Sequence, residues 1–399
     1  RILTKRLPDQ TEQTFTWDNQ DRIIAVDTQN QRIVYAYDDS DRLLQAITWK
    51  KEDTQSHRET ELHFTYDAKG RLIKEIQNGI SIDYQYDPDG RLISRTSPTG
   101  KTDYTLDILG QLKNVSTNGH TLAFARNALG LETQRQYQKT TDTNDESALL
   151  SAFALKQSYD PCGRLKTQEA GPYRSIQAAS PHERIAAITR RYSWDKSGRL
   201  TGVKDNKRGA SAYLYDPRDQ VNAITRTFGL NKQKEEKYGY DALMNISTTD
   251  GWNYAYENGA VKTAGQSSYQ YDQRGRVIEK KVVKPGFRPR HYAYTWDDFD
   301  RLIQTKTPEG AVWRYTYDAF GRRTRKECLH PGKQGLKRSI RYFWQGATLA
   351  EEWRKTGDIK NIPPFEKGGW GDYSVRVGSP SFLKRGIGGD FTTAAISSE

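Results

Sequence analysis

Of the 399 residues, only 35% belong to the set AVILMFWYC. Counted with Gly and without Tyr the apolar share is roughly 37%, against about 45–50% for an ordinary soluble domain. A chain of this length should bury proportionally more surface than a small one, so the deficit excludes a thick two-sided core. The 24 Tyr, 12 Phe and 9 Trp exclude a simple disordered chain, which would be poor in aromatics. The formal charge of +12 is small against 62 basic and 50 acidic groups, and it permits a weak attraction to anionic surfaces without requiring one.

Along the chain one seven-residue phrase recurs: an aromatic, Asp, two variable residues, Gly or Asp, usually Arg, then an aliphatic. Copies begin at Trp17, Tyr37, Tyr66, Tyr86, Leu106, Tyr159, Trp194, Tyr215, Tyr240, Tyr271, Trp296 and Tyr317, and an eroded one at Arg126. The most regular are Tyr66-Asp67…Gly70-Arg71, Tyr86-Asp87…Gly90-Arg91, Tyr159-Asp160…Gly163-Arg164, Trp194-Asp195…Gly198-Arg199, Tyr271-Asp272…Gly275-Arg276 and Tyr317-Asp318…Gly321-Arg322. Such a period is the mark of a repeat architecture. A second aromatic usually stands two residues before the first, as in Phe64/Tyr66, Tyr84/Tyr86 and Tyr315/Tyr317. Two is the strand period, so both rings of a pair face one side.

The phrase reads as a hairpin. Asp first and Gly fourth suit a type I turn closed by a left-handed residue, the three-residue loop with a glycine bulge. Asp replaces Gly at Asp21, Asp41, Asp219 and Asp300, and Asp tolerates that region better than most residues. Met244 does not, so that turn is expected to shift onto Asn245. In this register Asp87 faces Arg91 and Tyr86 faces Leu92, each pair contributing about 0.2–1 kcal/mol. A second turn at Ser97–Gly100 leads to the next strand, so each unit holds two strands and the chain well over twenty, all antiparallel. Residues 138–150 and 171–190 interrupt the rhythm and read as loops.

These residues resemble the Rhs/YD-repeat family of bacterial Rhs proteins, wall-associated proteins, toxin-complex subunits and teneurins. Residues 340–352 resemble the strand that follows the last repeats of an Rhs core. The resemblance implies an all-β fold, a long antiparallel meander winding into a curved or hollow shell, and for bacterial members a C-terminal toxin cargo released by self-cleavage. It also implies a secreted or cell-surface parent. The family's autoprotease carries a pair of Asp-Pro-x-Gly motifs. Asp87–Gly90 and Asp160–Gly163 match the letters but sit inside repeat turns, and none follows Phe343. The domain reading is a repeat segment over 1–356 and a Gly/Pro-containing tail over 357–399 without strand rhythm, as in a chain truncated before plug and toxin. A start without Met fits a piece of a longer polypeptide, and no leader peptide or apolar run of membrane-spanning length is seen.

No catalytic, metal or cofactor site is read. The recurring Asp are accounted for by turn capping and Arg pairing, and the six His form no ligand cluster. Cys162 lies in a turn and Cys328 in a strand, with no disulfide or metal spacing. The repeat arginines each follow an Asp by four residues, which argues against a nucleic-acid groove. The clusters Lys280/Lys281/Lys284/Arg288/Arg290 and Lys333/Lys337/Arg338/Arg341 are the basic surfaces that remain. The reading is a non-enzymatic shell segment. The alternative is an adhesion module whose exposed aromatics bind a glycan or a cell-surface protein.

Overall fold

Every repeat phrase inside the described residues closes the expected hairpin. At Tyr66–Leu72 the Asp67 N–H donates to Arg71 O (2.9 Å), Gly70 N–H donates to Asp67 O (2.9 Å), and Tyr66 lies opposite Leu72. The strand register slips by one residue just before the aromatic here and again at Tyr37, Tyr159, Trp194, Tyr271, Trp296 and Tyr317. That slip is the glycine bulge of the three-residue loop. The left-handed residue is Gly at 70, 90, 163, 198, 275 and 321, with φ between 74° and 84°. Asp21, Asp41, Asp219 and Asp300 take the same conformation, with φ between 60° and 65°. The eroded copy folds alike: Asn127 N–H donates to Leu131 O and Gly130 N–H to Asn127 O.

The computed structural model describes residues 1–52, 55–139, 152–177, 187–229, 232–332, 338–356 and 374–377. Among them 32 strands form an antiparallel sheet, and strands consecutive in sequence pair. The chain divides into two compact units, one built from Arg1–Asp83, Ser97–Thr99 and Tyr256 onward, the other from Tyr84–Thr96 and Gly100–Ala255. Burial alternates with period two. In the strand Arg290–Trp296 the rings of Tyr292, Tyr294 and Trp296 are half-buried on one face, while Ala293 and Thr295 are exposed on the other.

The buried set is thin and mixed. In the first unit it includes Ile33, Ala46, Leu62 and Ile82, but equally Thr48, Glu75, Gln77, Asp318 and Ser339. In the second, Ala154, Ile176 and Ala187 form a small cluster capped by Tyr173. The apolar deficit in the composition is met by ladders and polar networks.

Two expectations are corrected. The turn at Asp241 does not shift: Met244 itself takes φ 65°. The Asp241 carboxylate holds the register, accepting the Asn245 N–H (2.9 Å) and, on its other oxygen, the Asn245 side-chain amide (3.1 Å). A shift by one residue would lose both bonds. Residues 171–190 are not one loop, since 171–172 end the strand Leu165–Pro172, Tyr173–Gln177 is a helical turn, and Ile188–Trp194 is a strand. Ile176, buried in the small cluster, anchors that turn. Within 357–399, Ser374–Val377 is a strand paired with Glu351–Arg354. The loop expected at 138–150 lies outside the described residues except for Gln138 and Lys139, which end a strand.

A Cβ on Gly70 would meet nothing nearer than Arg42 Nη1 at 3.7 Å, so only the backbone opposes a side chain there. Gly70→Ala is expected to cost about 1–2 kcal/mol. Gly70→Asp should cost clearly less, because its carboxylate would stand beside Arg42 as Asp41 stands beside Arg22. Urea unfolding midpoints of the two variants check the order.

Candidate functional site

The repeated chemistry sits in the turns, and it begins with one carboxylate. In each regular turn Asp Oδ1 accepts the backbone N–H groups of the residues two and four on, while Oδ2 accepts Arg Nε. The Nε–Oδ2 distances are 2.7 Å for Arg71–Asp67, 2.6 Å for Arg91–Asp87, 2.7 Å for Arg164–Asp160, 2.6 Å for Arg199–Asp195, 2.7 Å for Arg276–Asp272 and 2.6 Å for Arg322–Asp318. Charge-assisted bonds of this kind are the strong ones. The carboxyls of Asp67, Asp87 and Asp195 are held below the ordinary carboxylate range, first by the backbone N–H of the arginine and then by its side chain against the opposing effect of burial.

The arginine then reaches into the next repeat. Nη1 donates to a turn carbonyl there: Arg164 to Asp195 O (3.3 Å), Arg276 to Asp297 O (2.9 Å), Arg301 to Asp318 O (3.1 Å) and Arg322 to Gly346 O (2.8 Å). The same guanidinium lies over the next repeat's first aromatic, Arg42 on Tyr66, Arg164 on Trp194, Arg199 on Tyr215 and Arg301 on Tyr317. A third link runs backward through the ring's polar tip. Tyr66 OH donates to Leu43 O, Tyr159 OH to Glu132 O, Trp194 Nε1 to Leu165 O, Tyr271 OH to Val261 O and Tyr317 OH to Leu302 O, all at 2.7–2.9 Å. The phrase uses Tyr or Trp because a buried ring tip must end on an acceptor.

Two features were not read from the sequence. The fourth-position Asp is not only a tolerated stand-in for Gly, since each pairs with an arginine earlier in the chain, in three cases that of the repeat before it. Asp41 pairs with Arg22 (2.7 Å), Asp219 with Arg199 (2.6 Å), Asp300 with Arg276 (2.9 Å) and Asp21 with Arg1. Within the first unit, moreover, later repeats stack on repeats about 250–285 residues earlier. Asp298 O accepts Gln13 Nε2 (3.1 Å), Ala319 O accepts Tyr35 OH (3.3 Å), Phe320 meets Phe64 with ring centroids 6.3 Å apart, and Trp344 exchanges two hydrogen bonds with Gln77. Arg274, its side chain 4% exposed, is the tightest member, donating to Asp9 (2.7 Å), Asp298 O (3.0 Å) and Asp300 (3.0 Å). Burial at this seam pushes the Tyr35 phenol up to about 12. Nothing in the local pattern distinguishes Arg274 from any variable turn residue.

The other candidates are placed as follows. Cys162 is exposed in its turn and Cys328 buried in its strand. Among the described residues no group of three or more His, Cys, Asp or Glu could hold a metal ion. Lys280 lies near the rings of Tyr269 and Tyr292, and Arg290 pairs with Glu309, while Lys333 and Lys337 lie outside the described residues. No described helix is long and apolar enough to cross a membrane.

A sheet built from arginine-linked YD turns defines a class, and the comparisons agree with it. The Teneurin YD-shell family model matches residues 2–106 and 153–356. The chain belongs to that family. It is similar to the probable deoxyribonuclease RhsA of Dickeya dadantii (strain 3937), 30% identical over 302 residues covering 72% of this chain and 19% of that protein. It is also similar to the double-stranded DNA deaminase toxin A of Burkholderia cenocepacia (strain H111), 26% identical over 304 residues covering 74% of this chain and 20% of that one. In fold it is similar to the Photorhabdus luminescens Tc holotoxin pore, with a TM-score of 0.51 and 12% identity over 91% of this chain and 22% of that chain. The chain thus spans about a fifth of the length of the relatives it matches.

The same sequence pair differs in burial from repeat to repeat. The Arg301–Asp297 side chains are 9% and 5% exposed, those of Arg71–Asp67 27% and 20%. Arg301→Ala should therefore cost about 3–5 kcal/mol, and Arg71→Ala about 1 kcal/mol, by chemical denaturation. At Asp9, burial raises the carboxyl but is outweighed by the Arg274 hydrogen bond, the Thr11 N–H and hydroxyl, and the Arg274 charge, which hold it at about 2 against an ordinary 3.8. A depressed carboxyl stabilises the fold above its unfolded value and loses that contribution as pH falls. The seam is accordingly expected to loosen between about pH 4 and pH 2, and hydrogen exchange at Thr11 and Arg274 should show it, with Asp9→Asn removing the pH dependence there.

Proposed function

We propose that residues 1–356 are a non-enzymatic structural segment of a shell in a longer polymorphic-toxin or surface protein, with a C-terminal toxin cargo as partner in the full-length parent. The parent is secreted or carried at the cell surface. The observation that carries the reading is the seam, where the sheet stacks on itself through Arg274, Gln77 and Phe320. Two further points support it. The polar tips of the rings end on backbone carbonyls of the preceding repeat, which makes the aromatics part of the wall. The Asp-Pro-x-Gly matches are ordinary turns, with Gly90 N–H and Gly163 N–H on Asp87 O and Asp160 O. The toxins among the relatives supply the expectation of a cargo.

In the product of the whole reading frame, sequence C-terminal to the repeats should resist a protease that digests it quickly once Arg274→Ala opens the seam. Equal digestion in both proteins contradicts an enclosing role. Specific retention of residues 1–356 on a glycan array would put adhesion in its place.

A further inference from the structure

The YD phrase ends on an aliphatic that lies opposite its first ring, as Leu72 does on Tyr66, Leu165 on Tyr159 and Leu302 on Trp296. Two copies carry a charge there instead. In the eroded copy Glu132 stands opposite Arg126 and is paired with Arg135 at 2.8 Å. In the last copy Arg323 stands opposite Tyr317, and no carboxylate among the described residues pairs with it. Its guanidinium lies over two other rings, 5.6 Å from the centroid of Tyr315 and 4.8 Å from that of Tyr342. Its Nε is buried with no hydrogen-bond partner among the described residues.

More cations gather on the same face. Tyr315 lies opposite Lys326, Lys326 opposite Ile340, and Ile340 opposite Arg354. Arg338, two residues before Ile340 in its strand, shares that face by strand alternation. Lys326 Nζ sits 4.4 Å from the centroid of Trp313. Burial first, and then the charges of Arg323, Arg354 and Arg338, hold the Lys326 ammonium below the ordinary lysine range. The carboxylate on this face is Glu352, opposite Tyr342, and Arg354 takes it at 2.6 Å. Arg323, Lys326 and Arg338 form no ion pair among the described residues, whereas the repeat arginines Arg301 and Arg322 each hold an Asp.

Like charges gathered within about 15 Å on neighbouring strands repel one another, and a half-buried cation is costly until an anion answers it. The rings decide the kind of anion. A single-stranded nucleic-acid site offers open aromatic faces for bases to stack on. Here the faces of Trp313, Tyr315 and Tyr342 already carry the protein's own cations. What the surface can still accept is negative charge on the outer side of those fixed groups, and carboxylates match a guanidinium fork in pairs.

We propose that the face around Arg323, Lys326 and Arg338 is a docking site for an acidic polypeptide segment, whose Asp and Glu carboxylates supply the ion pairs these cations lack. Charge complementarity selects this occupant. The site stands on the cation cluster and not on the shell reading, so each can fail without the other.

Titration of the 399-residue chain into a fluorescein-labelled oligoglutamate, followed by anisotropy, tests it. The peptide should bind at low ionic strength and weaken as salt is added. Lys326→Gln with Arg338→Gln should weaken binding by about tenfold or more. Lys281→Gln with Lys284→Gln removes the same charge elsewhere and should leave binding unchanged. Lys326→Gln should also raise the melting temperature of the free chain, because it relieves the crowding of like charges. Arg338→Gln alone, at an exposed position, keeps the comparison decisive if the Lys326 variant fails to fold. Equal weakening by the two pairs of substitutions would reduce the effect to net charge and overturn the site, as would no binding at low salt. A single-stranded oligodeoxynucleotide that binds more tightly than the peptide, and is lost with Lys326 and Arg338, would overturn the proposed occupant. Failure of the protease experiment on the seam would remove the shell reading and leave this binding untouched.

Discussion

Everything in this sheet depends on one carboxylate with two tasks. One oxygen of the turn Asp fixes the loop by accepting two backbone N–H groups, and the other fixes an arginine. Held at Nε, the guanidinium is aimed along the sheet, where its remaining N–H groups find the next turn's carbonyl and its plane finds the next ring. The geometry needs Arg specifically, because a lysine ammonium could not serve carboxylate, carbonyl and ring from a fixed plane. Local turn chemistry and coupling between repeats are therefore one interaction.

That coupling explains how the chain manages with few hydrophobes. A core of aliphatic side chains is replaced by half-buried rings whose tips end on carbonyls and by buried polar groups such as Gln77 and Asp318 held in networks. Such networks are worth having only when satisfied, since each orphaned member costs about 1–3 kcal/mol. The regular spacing of the phrase lets turn arginines and ring tips find partners one repeat away, while Gln77 is satisfied across the seam by Trp344. At Asp241, where Asn replaces Arg, the Asn245 side chain still addresses the carboxylate.

Much of this was legible in the sequence because it is local. The Asp-x-x-Gly turn, its bulge, the facing of Tyr66 and Leu72, and the period-two rings follow from φ preferences and strand geometry over seven residues. Met244 shows where that reasoning stops: propensity argued for a shifted turn, and two hydrogen bonds to Asp241 outweighed it. The pairing of fourth-position Asp with the preceding arginine acts across one repeat and was hidden for that reason. The seam lies farther out of reach, since Arg274 and Asp9 are 265 residues apart and neither belongs to a pattern.

The central claim is that the arginine couples neighbouring repeats, and a double-mutant cycle between Arg276 and Asp300 measures it most directly. Asp300→Gly keeps the left-handed turn residue, since Gly is the usual occupant, and removes the carboxylate that Arg276 reaches at 2.9 Å and Arg274 at 3.0 Å; because Arg274 is present in every member of the cycle, the coupling still isolates the Arg276–Asp300 contact. The account predicts that Arg276→Ala and Asp300→Gly together destabilise by about 0.5 kcal/mol or more less than their separate effects summed. Additive effects, within about 0.3 kcal/mol, would mean that each turn is stabilised alone and would contradict the account.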